Sequence, residues 1–219
     1  MEGLDTAGRC GPAEEVGGDY YDLIVLEDGG FACAVGDVSG KGVPASLVMA
    51  SLQSSLRGLQ MGGVRSPARL LEKLNVLLHA STRRSRFATL LYAEFDAERR
   101  RLRYASAGHP PALLIRADGE VEWLAQRGLA LGLMRSVRYE EAETEVGPGG
   151  LVILYSDGFS EAMNEAHEQW GEQRLAEAAL QFKGRPAQEV LDGLFAKAAE
   201  WAGEEPQHDD MTLIVVRVG

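Results

Sequence analysis

Five aspartates stand where an apolar stretch begins or ends. Asp19 lies in Gly17-Gly18-Asp19-Tyr20-Tyr21-Asp22, and Asp37 in Val35-Gly36-Asp37-Val38-Ser39-Gly40-Lys41-Gly42-Val43-Pro44. Asp157 follows the apolar run Leu151–Tyr155, and Asp209 and Asp210 precede Met211-Thr212-Leu213-Ile214. Carboxylates are hard oxygen donors, suited to Mg²⁺ or Mn²⁺ rather than to softer metals. If the strand ends converge, these acids repel one another unless a cation sits among them. The bland alternative is that each is a solvated aspartate at a turn. Lys41 is the basic residue within the Asp37 motif; it can contact a phosphate or be a solvated turn lysine. His109, between Gly108 and Pro110, reads as a loop residue. It can donate protons or bind phosphate, or simply make a structural hydrogen bond.

Those residues need elements to hold them. Leu23–Leu26 and Phe31–Val35 read as a hairpin across Asp28-Gly29-Gly30. Asp19 and Asp22 are three apart, so a regular strand turns them to opposite faces and brings one to the site. Pro44–Leu59 predicts a helix with Ala45, Val48, Leu52, Leu56 and Leu59 in one stripe. Ser66 reads as the N-cap of a second helix, with Pro67 in its first turn and Leu70, Leu71, Leu74, Leu77 and Leu78 buried. The basic cluster Arg83, Arg84 and Arg86 suits that helix's C-terminus, with attraction of an acidic partner as the alternative. Further strands are predicted over Phe87–Phe95, Leu102–Ala107, Ala112–Ile115, Val121–Leu124, Val137–Glu145, Leu151–Tyr155 and Met211–Val218, and helices over Gln173–Phe182 and Pro186–Trp201. Residues 1–10 carry little pattern and read as a ragged start. Strands in hairpins with paired helices indicate an α+β fold in a single domain over 1–219.

A hydrophobic fraction of 45% over 219 residues is enough for a substantial core. A formal charge of -11 argues against nucleic acid, whose affinity comes from cationic contacts. No apolar run approaches a membrane span and no signal pattern opens the chain, so no membrane contact and a cytoplasmic location are expected. Two cysteines make no disulfide framework; Cys33 lies in an apolar strand and reads as core.

Five stretches in this order, GGDYYD, GDVSGKGVPASL, SAGHPPALL, LYSDGFSEA and DDMTLIVV, resemble the PPM (type-2C) metal-dependent serine/threonine phosphatases, in the bacterial SpoIIE-like branch. The resemblance runs from about Gly11 to Val218. It implies a four-layer αββα sandwich, two antiparallel sheets flanked by helix pairs, with the metals at one end. It implies two Mn²⁺ or Mg²⁺ ions that activate water against a phosphoserine or phosphothreonine. Carried over by motif, Asp37 is the bridging ligand, the Val38 carbonyl ligates one ion, and Asp19 and Asp157 hold opposite sides. Asp209 is the expected metal ligand of its pair with Asp210 behind it, and the tandem leaves Asp210 as the other candidate ligand. Asp19 and Asp37 are thus the catalytic candidates, and Lys41 and His109 the substrate-binding ones. The implied substrate is a phosphorylated, STAS-type anti-anti-sigma-like partner in partner switching. A homodimer through the helices in 44–84 is a further implication.

The chain departs from the eukaryotic pattern at three points. Gly18 replaces a glutamate, Ser39 replaces a histidine proposed as general acid, and no arginine stands at the phosphate-binding position. These departures are usual in the SpoIIE-like branch, and they leave protonation of the leaving group unassigned. Two other functions are compatible with the same residues: a non-catalytic protein-binding module and a hydrolase of small phosphoesters.

Overall fold

Runs such as Phe31–Val35 and Leu151–Tyr155 are apolar at every position because both of their faces are covered. The computed structural model describes residues 3–26, 29–82, 86–96 and 100–219. In chain order the elements are β1 (Leu4–Gly11), β2 (Asp19–Val25), β3 (Phe31–Val38), α1 (Val43–Met61), α2 (Pro67–Ser81), β4 (Ala88–Asp96), β5 (Arg101–Ala107), β6 (Ala112–Ile115), β7 (Val121–Leu124), β8 (Ala142–Glu145), β9 (Leu151–Tyr155), α3 (Asp157–Ser160), α4 (Gly171–Gln181), α5 (Ala187–Ala202) and β10 (Met211–Val218).

The strands form two five-stranded sheets. Sheet A has the order β1-β10-β9-β6-β7 and sheet B the order β2-β3-β4-β5-β8. Every pairing is antiparallel. Three apolar layers follow from the alternation of side chains along each strand. Phe31, Cys33, Val35, Leu91, Val152, Leu154, Ile214 and Val216 fill the space between the sheets. The other face of sheet B, with Ala32, Ala34, Leu90 and Tyr92, meets Leu52 and Leu56 of α1 and Leu70, Leu71 and Leu74 of α2. The other face of sheet A, with Ile153, Leu213 and Val215, meets Leu175 of α4 and Val190, Leu191 and Leu194 of α5. The result is the expected α+β sandwich, αββα in layer order.

The local signal holds at the start of α2. The Ser66 hydroxyl accepts the Arg69 N–H at 3.2 Å, capping α2 behind Pro67. Cys33 is fully buried. Three expectations are corrected. Of residues 1–10, which read as a ragged start, 4–10 belong to β1, which pairs along its whole length with β10. Val137–Glu145 yields only the short edge strand β8. Leu77, placed in the α2 stripe, is exposed, because the buried positions 70, 71, 74 and 78 point elsewhere around the helix. Asp28, Arg83 and Arg84 lie outside the described residues.

Candidate metal centre

Register places the acids of sheet B. Asp19 on β2 is opposite Asp37 on β3, and Asp37 is opposite Thr89 on β4. Side chains opposite one another share a face, so the three form a row at the end of the sheet. That face is the one turned toward sheet A, because Cys33 and Val35 on the same side of β3 lie in the layer between the sheets. Asp22 takes the opposite face. Its carboxylate accepts the Tyr20 hydroxyl at 2.8 Å and Arg57 Nε of α1 at 2.8 Å, which ties α1 to sheet B.

Sheet A supplies the rest. Asp157 opens α3 directly after β9, and Asp209 and Asp210 precede β10, the neighbour of β9. The two members of the tandem behave differently. Asp210 is buried, and its carboxylate accepts the N–H groups of Ala13 at 2.8 Å, Gly18 at 2.7 Å and Asp19 at 3.3 Å. A carboxylate so engaged with backbone donors is an anchor for the β1–β2 connection. Gly17 permits it, since a Cβ there would lie 2.2 Å from Asp210 Oδ2. Asp209 is exposed, with Lys41 Nζ 3.5 Å from its Oδ1.

Burial, with repulsion from neighbouring carboxylates, holds Asp19, Asp37 and Asp157 toward their neutral forms. Burial pushes Asp19 up to about 8, against the partial relief of the Ser156 and Thr212 hydroxyls that face it from sheet A. Burial, then the charges of Asp157, Asp209 and Asp210, push Asp37 up to about 7. Asp157 is raised by burial and then by Asp209. Among the described residues no three Asp, Glu, His or Cys side chains close on one point unaided. Three other observations fit a hard cation. Oδ2 of Asp19 is buried with no hydrogen-bond partner. A Cβ built on Gly18 would meet the Val38 carbonyl oxygen at 2.9 Å, Asp37 Oδ1 at 3.2 Å and the Gly40 carbonyl oxygen at 3.4 Å. The absence of a side chain at Gly18 therefore leaves a cradle faced by three oxygens. All of these donors are oxygen, the class that Mg²⁺ and Mn²⁺ prefer.

Beside the carboxylates lies a cavity of about 330 Å³, which Gly158 and Asp209 share with the acid cluster. Phe195 and Ala202 of α5, Met211 of β10 and Met163 after α3 contribute apolar lining.

The family description for stage II sporulation protein E (SpoIIE) matches residues 27–219. The chain belongs to the SpoIIE family. It is 31% identical over 219 residues to the phosphoserine phosphatase RsbU of Bacillus subtilis (strain 168), covering 99% of this chain and 64% of RsbU. The chain therefore spans less than two thirds of that relative. The SiaA-PP2C domain of Pseudomonas aeruginosa superposes with a TM-score of 0.87 at 26% identity, over 98% of this chain and 85% of that one. The catalytic domain of the serine/threonine phosphatase PstP, solved in complex with two manganese ions, shares the fold at a TM-score of 0.75 and 17% identity, over 99% of this chain and 98% of that one.

The geometry of this SpoIIE-family chain brings Asp19, Asp37, Val38, Asp157, Asp209 and Asp210 to one end of the sandwich. Lys41 is there too, but its ammonium is engaged by the His208 carbonyl and by Asp209. His109 is the correction. Instead of facing substrate it is buried, with Nδ1 2.9 Å from Thr89 Oγ1 and Nε2 3.0 Å from the Tyr155 carbonyl oxygen. Burial pushes its ring down to about 4, so it is neutral and has no free nitrogen for phosphate. Ser39, at the position of the eukaryotic histidine, accepts the Phe87 N–H at 3.0 Å and so braces the corner after β3. Arg86, which the sequence places at a helix end, is a cation at this corner. Its Nη1 reaches the Ser39 carbonyl at 3.3 Å, a contact with no signal in local sequence because 47 positions separate the two.

Proposed function

We propose that this chain hydrolyses phosphoserine and phosphothreonine monoesters on a protein, using two divalent cations, Mn²⁺ or Mg²⁺. The observation that carries the proposal is the electrostatic coupling of Asp37, paired with Asp19 on sheet B, to Asp157 and Asp209 at the ends of sheet A strands, beside a buried Asp19 oxygen that has no hydrogen-bond partner. The similarity to a phosphoserine phosphatase supports the reaction class.

Asp19, Asp37, Asp157, Asp209 and the Val38 carbonyl would hold the cations. These supply Lewis-acid charge, which makes water nucleophilic near neutral pH and offsets the charge of the phosphoryl group. The protein's own part is placement. Asp210 fixes the loop that carries Gly18 and Asp19, through its two hydrogen bonds to their N–H groups. Gly18 leaves the Val38 carbonyl and the Asp37 carboxylate uncovered. Lys41 and Arg86 add positive charge beside the acids, within reach of a phosphate approaching the β3–α1 corner.

The cavity beside Asp209 favours a protein substrate over a small phosphoester, because it gives residues flanking the phosphorylated one an apolar place to lie. Ala202→Trp should fill it. The expected result is a loss of about tenfold or more in kcat/KM for phosphoserine peptides, equivalent to about 1.4 kcal/mol, with p-nitrophenyl phosphate turnover unchanged. Equal rates on the peptides would assign the cavity no part in recognition.

The substrate class that fits is a phosphorylated STAS-type protein of a partner-switching pathway, as the motif resemblance implies. A partner or second copy would act on α1 and α2, where Val43, Leu47, Val76 and Leu77 are exposed although apolar. Metal dependence tests the core of the reading. Phosphate release from phosphoserine peptides should fall at least about a hundredfold in chelator and return with Mn²⁺ or Mg²⁺. Full activity in protein verified to be metal-free would refute it.

A further inference from the structure

The acids of the candidate centre belong to two different sheets, so their spacing depends on how the sheets are held at that end. Over most of the sandwich the contact is apolar, made by side chains such as Val35, Leu91, Leu154 and Ile214. Packing of that kind is dense but has no directional bonds. Near the acids, polar links also cross between the sheets, and two of them are made by buried side chains, Asp210 and His109. One is Asp210, leading into β10 of sheet A, which holds the N–H groups of Gly18 and Asp19 at the start of β2 in sheet B. The other is the His109 ring, set between Thr89 of sheet B and the Tyr155 carbonyl of sheet A.

The chain places that ring at a junction. His109 lies in the connection between β5 of sheet B and β6 of sheet A, where the backbone itself changes sheet. Its own N–H donates to Ser106 Oγ at 3.1 Å, and the Ser106 hydroxyl donates to its carbonyl at 3.2 Å. The preceding Gly108 has φ of 71°, a conformation that glycine adopts without strain. The side chain is therefore fixed from its own backbone outward. A carbonyl oxygen can only accept, so Nε2 carries the proton, and Nδ1 accepts from the Thr89 hydroxyl. The buried ring stays neutral, as that single tautomer requires.

Both contacts sit beside the acids. Thr89 is directly opposite Asp37 in the β3–β4 register. Tyr155 is the last residue of β9, two before Asp157. We propose that His109 is a positioning residue, a strut from Thr89 to Tyr155 that sets the separation of Asp37 from Asp157 and so the span of the cation site. This rests on the reading of the acids as a divalent-cation site. The competing account is a core histidine whose hydrogen bonds are satisfied and which contributes only to stability.

The test uses the full chain, stripped of metal, as Thr89→Val, His109→Ala and His109→Gln variants. Three quantities are read: Mn²⁺ affinity by calorimetry, the electron paramagnetic resonance spectrum of the bound Mn²⁺, and the melting temperature without metal. Thr89→Val keeps the shape of the side chain and removes only the hydroxyl. It should weaken Mn²⁺ binding by about tenfold or more, the range seen when residues behind metal ligands are lost, and alter the spectrum. Its metal-free melting temperature should stay within a few degrees of the wild type. His109→Ala should weaken binding further, and His109→Gln, whose amide offers both N–H donors and a carbonyl acceptor, should recover part of it. If His109→Ala does not fold, Thr89→Val carries the test alone. Wild-type affinity and spectrum in Thr89→Val, or a fall in melting temperature with neither changed, would overturn the proposal. Failure of the wild-type chain itself to bind Mn²⁺ would overturn the cation site and the strut together.

Discussion

Asp37→Asn is expected to abolish turnover and to raise the melting temperature of the metal-free protein. The two effects have one cause. Asp37 is opposite Asp19 in the β2–β3 register, and burial, then the charges of Asp157, Asp209 and Asp210, push its carboxyl up to about 7. At pH 8 in chelator its ionised form is therefore unfavourable in the fold, and asparagine removes the charge while keeping the shape. A gain of about 1 kcal/mol would appear as about 2–4 °C in a chain of this size. With metal present, the same substitution removes a central anionic donor. Loss of activity should then exceed the roughly 10–100-fold that follows removal of groups one layer further out. A melting temperature well below the metal-free wild type would make Asp37 a structural residue instead.

The second large effect is an inversion of pH dependence by metal. Asp19 and Asp37 are raised from 3.8 to about 8 and about 7 on folding, so the folded state binds more protons than the unfolded one across that interval. Stability therefore falls as pH rises through the folded values. His109 acts the other way, since its lowering from 6.5 to about 4 adds stability as pH rises between those values. The clean window is thus from about pH 6.5 to 8, where only the acids change. Metal-free protein should lose stability across it. With Mn²⁺ the slope should reverse, because a cation binds the deprotonated carboxylates and its affinity grows with pH. Melting curves at several pH values, in chelator and in Mn²⁺, read both slopes, and parallel flat lines would contradict the account.

Much of this was legible in sequence for specific physical reasons. Phe31–Val35 and Leu151–Tyr155 are apolar throughout because each is covered on both faces, and the aspartates mark where those strands emerge. The three-residue offset of Asp19 and Asp22 separated a candidate site residue from one that anchors α1, since the strand is regular there. β1 was not legible. Ala7 is its one fully covered side chain, so Leu4-Asp5-Thr6-Ala7-Gly8-Arg9-Cys10 shows no alternation, and its pairing with β10 is a contact across almost the whole chain. The inward turn of His109 was hidden as well. Gly108 and Pro110 announce a loop, but only the topology shows that this loop passes between the sheets. Asp209 and Asp210 are adjacent in sequence and differ only through the Ala13, Gly18 and Asp19 backbones, which the tandem itself does not encode.

The most direct test of the central claim is calorimetric titration of the metal-free chain with Mn²⁺ at pH 6.5, in two buffers of different ionisation enthalpy. At that pH the carboxyls of Asp19 and Asp37, raised to about 8 and about 7, retain their protons in the metal-free fold. A cation seated among them must displace these protons. The predicted result is saturable binding with release of roughly one to two protons per chain. No saturable uptake, or uptake with no proton released, would contradict a cation site built on these acids.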